Sequence, residues 1–278
     1  MKYADLHIHT NFSDSTFSPE EVAVVAAERG LSAVAICDHD SVYGIEPCAA
    51  AAAPLGVEVI PGIELTVEKD DAEVHILGYF VDTGAGWFLK KLQDMREARV
   101  DRINKMVEKL NSAGINVKAE DVFKIAGNGT VGRLHLAKAI IKTGKVRTLR
   151  DVFARYIGFQ KPCYVPHVKF SPREAIEMLL KAGGVPVLAH PGIMNKDEYI
   201  PELIGYGLRG IEVYHTDHKS NTVKHYEELA LEHGLAATGG SDCHGLGKGR
   251  VLIGMVRVPY DLVEKLKAKA EEIRHGRG

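Results

Sequence analysis

SPREAIEMLLKAGGVPVLAHP, residues 171 to 191, reads as one complete unit of helix, turn, strand and polar terminus. Ser171 is an N-cap, Pro172 stands at the first helical position and Glu174 completes a capping box, so a helix starts here. Gly183-Gly184 ends it, Val185 to Ala189 forms an apolar strand, and His190-Pro191 stands at the strand's carboxyl end. The same order recurs without a formal short repeat. Ser18-Pro19-Glu20-Glu21 opens a copy that closes at Gly30 and runs through Leu31 to Cys37 into Asp38-His39-Asp40. Pro201 to His215 is another, with Gly207-Leu208 before the strand Gly210 to Tyr214, and a fourth has Gly234-Leu235, Ala236 to Gly240 and then Ser241-Asp242-Cys243-His244. Each apolar strand ends in candidate ligands.

Strands alternating with helices predict a parallel sheet, and a closed (β/α) barrel brings the carboxyl ends of all its strands to one face. Further strands are expected at Tyr3 to Thr10, at Val57 to Ile60 leading through Pro61-Gly62 to Glu64, and at Val74 to Phe80. His75 lies at the start of its strand, so it reaches the same face only if that strand belongs to a hairpin. From Trp87 to Pro166 the rhythm becomes helix after helix: a long charged one from Leu89 to Ala113, then segments near Ala119, Leu134 and Leu149. The expected organisation is therefore a barrel from residues 1–90 and 166–278, with 91–165 as an inserted helical subdomain capping the substrate. Lys265, Lys267, Lys269 and Arg274 of a C-terminal helix, Tyr260 to His275, read as a solvated face.

The 278 residues suit a barrel with an insertion as well as two small domains. A net charge of -2 advertises no global affinity for duplex nucleic acid or an anionic membrane, so an anionic ligand must be held locally. No apolar run is long enough for a signal peptide or a bilayer span, which places the chain in the cytoplasm. Cys37, Cys48, Cys163 and Cys243 lie far apart and read as reduced thiols.

The 13 histidines carry more information. His7-x-His9, on one face of a strand with Asp5, can chelate a cation through two imidazoles. With Asp14, His39, Glu64, His75, His190, Asp242 and His244 the set reaches nine donors, more than one ion uses, and carboxylates can bridge two. Two or three divalent ions are expected, and without a cysteine pair manganese, iron or zinc is favoured. Asp5 is expected to orient an imidazole ring; Asp38 and Asp40 divide between that role and turn capping. Ser13 and Ser241 lack the base of a triad and read as loop caps. Gly127-x-Gly129-x-x-Gly132 fits a dinucleotide fingerprint only as a string, and Arg96, Arg99 and Arg102, interleaved with Glu97, Asp101 and Glu108, read as a charged solvent face.

The pieces DLHIHT (5–10), SDS (13–15), DHD (38–40), PGIE (61–64), HILGY (75–79), AHP (189–191) and SDCH (241–244) resemble the polymerase and histidinol phosphatase (PHP) family, especially its nucleotide phosphoesterase branch, over nearly the whole chain. Ser15 stands where many relatives have glycine and Cys243 where phenylalanine or alanine is frequent; neither departure puts a ligand in doubt. The resemblance implies an α/β fold, a distorted (β/α)7 TIM-like barrel, with three metals: His7, His9, Glu64 and Asp242 for the first, Glu64 bridging to a second held by His75 and His190, and Asp14, His39 and His244 for the third. Glu64, His190 and Asp242 would stand at the reacting centre. It further implies hydrolysis of a phosphate ester by hydroxide generated between the cations, the substrate being a nucleoside 3',5'-bisphosphate, a 5'-monophosphate such as AMP, or a short RNA. Gly132-Arg133-Leu134-His135 is similar to that branch's phosphate-contacting GRPH segment, which makes Arg133 and His135 substrate-binding. His215 faces substrate or supplements the metal site. A histidinol-phosphate phosphatase, an amidohydrolase-like deaminase and a non-catalytic metal-binding module are the competing readings.

Overall fold

The computed structural model of the chain describes residues 1–70, 72–166, 170–247 and 249–276. Its sheet has the order β7-β6-β5-β4-β3-β2-β1-β8, built from β1 (Tyr3–Ile8), β2 (Ala33–Ile36), β3 (Glu58–Lys69), β4 (Ala72–Tyr79), β5 (Val185–Leu188), β6 (Gly210–His215), β7 (Ala236–Gly240) and β8 (Val258–Pro259). The end of β7 returns to β1: Asp242 N donates to His7 O at 2.8 Å and His9 N to Cys243 O at 3.0 Å. Seven strands thereby enclose a barrel, the distorted form the family resemblance implies, and β8 is a short antiparallel addition outside β1.

Helices fill the connections: α1 (Pro19–Glu28), α2 (Ile45–Ala52), α3 (Gly86–Ser112), α4 (Ala119–Ala126), α5 (Arg133–Lys142), α6 (Leu149–Val152), α7 (Pro172–Lys181), α8 (Pro191–Met194), α9 (Ile200–Gly205), α10 (Ser220–Glu232) and α11 (Asp261–His275). The capping boxes at Ser18/Glu21 and Ser171/Glu174 form as read, each serine accepting from the third amide and each glutamate accepting from the cap amide. Helix α2, rich in alanine and without a side-chain cap, gave no comparable start signal.

Strand β3 differs from its reading, because it does not end at Pro61-Gly62 but runs on to Lys69. Proline has no amide to give, yet Pro61 O accepts from Phe80 N, so the ladder continues through its carbonyl. Gly62 permits a close approach: a Cβ there would stand 2.7 Å from Ile36 O. Strand β4 then returns antiparallel, with His75 opposite Thr66, and antiparallel pairing also joins β4 to β5. This is the hairpin that His75 requires.

The main apolar core packs the helices on the barrel, through Val22, Ile36, Ile76, Phe88, Leu92 and Leu179 among others. A second cluster gathers Ile103, Met106 and Leu110 of α3 with Val122, Leu136 and Ile140. Helix α3 thus begins in one core and ends in the other, and residue 91 lies in its second turn. Among the described residues no helix is long and apolar enough to cross a membrane.

Candidate metal centre

Glu64, on β3 and 1% exposed, is the hub where the strand ends meet. Its Oε1 lies 2.8 Å from His75 Nδ1 and 3.1 Å from His190 Nε2. Its Oε2 faces His39 Nδ1 at 3.2 Å, His9 Nε2 at 3.3 Å and His7 Nε2 at 3.5 Å. Asp242 Oδ1 approaches His9 Nε2 at 3.1 Å, and Asp14 Oδ1 approaches His244 Nε2 at 3.2 Å. All nine donors named from the sequence therefore converge: eight fall into overlapping groups, His7, His9 and Asp242; His39, Glu64 and His75; His9, Asp14, His39 and His244, and His190 joins them through Glu64.

This donor set fits divalent cations. His7 Nε2 and His9 Nε2 point at one another across 3.2 Å, a contact only one proton could satisfy. Asp14 Oδ1 and His39 Nδ1 are buried with His244 and Glu64 only 3.2 Å away, yet neither contact is aligned as a hydrogen bond. Burial works against Glu64 and Asp14 as carboxylates, but the surrounding imidazoles, His75, His39 and His7 for the one and His244, His39 and His9 for the other, hold both well below the usual range. Burial pulls His39 and His190 down toward their neutral, ligating forms. No thiol joins in: all four cysteines are buried and free, and Cys243 Sγ turns away to accept from Leu252 N.

Neighbouring groups hold these rings and loops in place. Fully buried Glu212 accepts from His7 Nδ1 at 3.0 Å through Oε1 and from His190 N at 2.8 Å through Oε2. His190 (φ 28°) and Asp242 (φ 50°) sit in left-handed backbone, a cost concentrated at the site and offset by such bonds. Asp38 accepts from Thr10 N, Thr10 Oγ1 and Ser13 Oγ, so it organises the loop that carries Asp14. Ser13 is thereby engaged as a loop cap.

Asp5 does not orient an imidazole; its carboxylate accepts from Ser241 N and Gly254 N, and burial raises it to about 6. The β1–β2 register shifts between Asp5 and Ile8, which breaks the strict alternation that would put Asp5 with His7 and His9. Asp40 instead receives Arg99 Nε at 2.5 Å.

Arg99 and Arg102 are not a solvent face: they are 6% and 4% exposed. Helix α3 lies across the barrel mouth, so this face meets the site while Glu97, Asp101 and Glu108 stay in water. Arg99 also reaches Thr66 Oγ1, Arg102 donates to Val165 O, and Arg133 pairs with Glu73 and stacks over Phe153. These three guanidinium groups line a cavity of about 280 Å³ together with Asp14, His39, His75 and His244.

The sequence-predicted substrate residues separate. Arg133 lines that cavity, whereas His135 is not among its lining residues: its Nδ1 accepts from Gly132 N at the start of α5 and its ring borders a neighbouring cavity. His215 lies beside the donors, its Nε2 3.5 Å from Asp242 Oδ2 and its Nδ1 accepting from Asp217 N. Gly129, part of the string that mimics a dinucleotide fingerprint, presses on Asn11 O and Ser13 O, where a Cβ would come within 2.6 Å. Glu212, Glu73, Arg99 and Arg102 were missed; for Glu212 a signal existed, a lone acid inside the apolar run Gly210 to Tyr214.

Residues 5–93 match the PHP domain family model. A 3',5'-nucleoside bisphosphate phosphatase of Chromobacterium violaceum is 33% identical over 255 residues, 90% of either chain. The 5'-3' exoribonuclease Rnm of Escherichia coli is 31% identical, over 86% of this chain and 84% of its own. Among solved structures, a metal-dependent phosphoesterase of Bifidobacterium adolescentis superposes with a TM-score of 0.86 at 33% identity, covering 95% of this chain and 94% of that one. A Chromobacterium violaceum amidohydrolase with sulfate bound and no metal gives the same TM-score, 0.86, at 31% identity, covering 95% and 96%. With relatives of this identity spanning nine-tenths of its length and a donor cluster gathered on Glu64, the chain belongs to the PHP-domain family of metal-dependent phosphoesterases.

Proposed function

We propose that this chain hydrolyses a phosphate ester of a nucleotide: a nucleoside 3',5'-bisphosphate, a 5'-monophosphate such as AMP, or the terminal ester of a short RNA, in the cytoplasm. One observation carries the reading. The cavity of about 280 Å³ is lined both by metal donors (Asp14, His39, His75, His244) and by Arg99, Arg102 and Arg133, with Glu73 the acid beside Arg133. A tetrahedral dianion suits such a lining, since cations held by the donors and guanidinium groups both match its oxygens and neutralise its charge. The named activities of the bisphosphate phosphatase and exoribonuclease relatives support the nucleotide over histidinol phosphate.

In this reading His7, His9, Glu64 and Asp242 hold one cation, Glu64, His75 and His190 a second, and Asp14, His39 and His244 a third. Manganese, iron or zinc suits the nitrogen and oxygen donors. When bound, such cations polarise the phosphoryl oxygens and make water acidic enough to attack near neutral pH. The protein's own part is positional. Glu64 turns one oxygen toward His75 and His190 and the other toward His7, His9 and His39, so a single carboxylate would serve both groups of donors. Arg99, Arg102 and Arg133 orient the ester, with Glu73 holding Arg133 in place. His135 fixes the first turn of α5, on which Arg133 stands, rather than touching the ester. Residues 91–165 act as the cap that brings these arginines over the barrel mouth.

A hydrolysis screen of the manganese-loaded protein, reading inorganic phosphate from mononucleotides, bisphosphates and histidinol phosphate and liberated nucleotides from short RNAs, tests this. Nucleotide turnover that chelation abolishes is expected, with Arg133→Ala raising KM while bound metal stays near normal. A flat response, or preference for histidinol phosphate, would overturn it.

A further inference from the structure

His215 closes β6 with a fully buried side chain, beside the metal donors yet outside the cavity that the arginines line. Its two ring nitrogens have unlike surroundings. Nδ1 accepts from Asp217 N at 3.1 Å, and a backbone amide can only donate, so the neutral ring has its lone pair on Nδ1 and its hydrogen on Nε2. Turning the ring over would set a carbon against that amide. Nε2 faces Asp242 Oδ2 at 3.5 Å and, among the described residues, is not aligned in any hydrogen bond. A buried donor left in this way is costly unless the site uses it.

Neighbouring imidazoles show what sets this one apart. His7 has the opposite tautomer, because its Nδ1 donates to Glu212 and leaves the Nε2 lone pair for a cation. His218 has nothing to spare: Nδ1 donates to Val213 O at 2.8 Å and Nε2 accepts from Gly192 N at 3.1 Å, which ties β6 to the turn after His190. His215 presents a hydrogen to the centre where a ligand would present a lone pair. Asp242 is the group that can use it. Asp242 Oδ1 lies 3.1 Å from His9 Nε2 and 3.7 Å from His7 Nε2, on the side of the first cation site, whereas Oδ2 turns to His215. A carboxylate that ligates through one oxygen is kept in orientation by a hydrogen bond to the other.

We infer that His215 is a positioning residue and not a metal ligand: its Nε2–H holds Asp242 by Oδ2 and so keeps Oδ1 turned to the first cation site. The inference rests on the phosphoesterase reading and extends it to a tenth side chain, one that acts on the metal only through Asp242. Two substitutions separate the nitrogens. His215→Asn keeps an acceptor near the place of Nδ1 and has nothing where Nε2 stood, whereas His215→Gln reaches that far with an NH2 group and gives up the acceptor.

The test measures bound manganese across a chelator-buffered series, with kcat and KM alongside, for wild type and both variants. His215→Asn is expected to bind manganese about tenfold more weakly and to lose about tenfold in kcat with KM little changed, and His215→Gln to recover most of both. A ring that merely caps the turn at Asp217 would give the reverse order, which overturns the inference, as do equal values in the two variants. Proton–nitrogen correlation spectra of zinc-loaded protein carrying isotopically labelled histidine give a reading independent of turnover. The His215 ring, identified by its absence from either variant, should carry its hydrogen on Nε2; a zinc-bound Nε2 would make it a ligand and overturn the inference. Wild type that takes up no metal defeats the phosphoesterase reading instead, and the same spectra of that protein still decide whether Nε2 is the donor.

Discussion

Replacing Glu212 with glutamine exchanges one oxygen for an amide nitrogen in a side chain that is 0% exposed, and the consequence can be followed atom by atom. In the native protein Oε1 accepts from His7 Nδ1 and Oε2 from His190 N. Glutamine has one acceptor, and the His190 amide, fixed in its backbone, can only donate; the new NH2 must therefore face His7 Nδ1. His7 then accepts at Nδ1 and carries its proton on Nε2, the nitrogen that lies 3.2 Å from His9 Nε2 and 3.5 Å from Glu64 Oε2. A protonated Nε2 has no lone pair for a cation. The native carboxylate does the reverse: although burial opposes it, Glu212 and Glu64 raise His7 well above the usual imidazole range, so Glu212 makes the ring more basic as well as fixing its tautomer.

Loss of such a partner costs about 10–100-fold in metal affinity or activity, or about 1.4–2.7 kcal/mol. The assay is bound manganese per chain across a chelator-buffered concentration series, with turnover of a chromogenic phosphate ester measured in parallel. Glu212→Gln should shift both by at least tenfold while the circular dichroism spectrum stays native. Glu212→Ala removes both acceptors and should also lower the melting temperature, since the buried His190 amide loses its partner at a cost of about 1–3 kcal/mol. Native metal affinity and rate in Glu212→Gln would refute the tautomer argument.

Stripping metal from the loaded protein should lower its melting temperature by roughly 5–10 °C, because binding at about 100 Kd adds about 2.7 kcal/mol; calorimetry before and after chelation reads this, and an unchanged midpoint would mean the donors are not a binding site. Burial pulls His135 from 6.5 down to about 4, so between these values the unfolded chain binds a proton that the native one does not, and stability falls as pH drops through that window. The full effect is about 3 kcal/mol, and His135→Gln, which keeps an acceptor for Gly132 N, should flatten the dependence seen in urea melts from pH 7 to pH 4. Gly62→Ala should cost about 1–3 kcal/mol in the same melts, because its methyl group meets Ile36 O at 2.7 Å and Cys37 Sγ at 2.8 Å; an unchanged midpoint would show that β2 and β3 can separate freely.

Much of this protein was legible from residue order alone. Capping boxes at Ser18 and Ser171, glycines closing the helices, and polar residues ending each apolar strand announced the barrel and the face where its ligands meet, because each signal is local chemistry read within a few residues. The tertiary structure decided what depends on distant surfaces meeting. Only closure of the barrel put Glu212 under His7 and His190, and only the path of α3 across the mouth turned Arg99 and Arg102 inward, although in sequence they are indistinguishable from a salt-laced exposed helix. The register shift in β1 likewise sent Asp5 to the backbone of the β7 end rather than to an imidazole. Periodicity tells which residues share a face of one element, but the partner that face meets is set by packing between elements far apart in the chain.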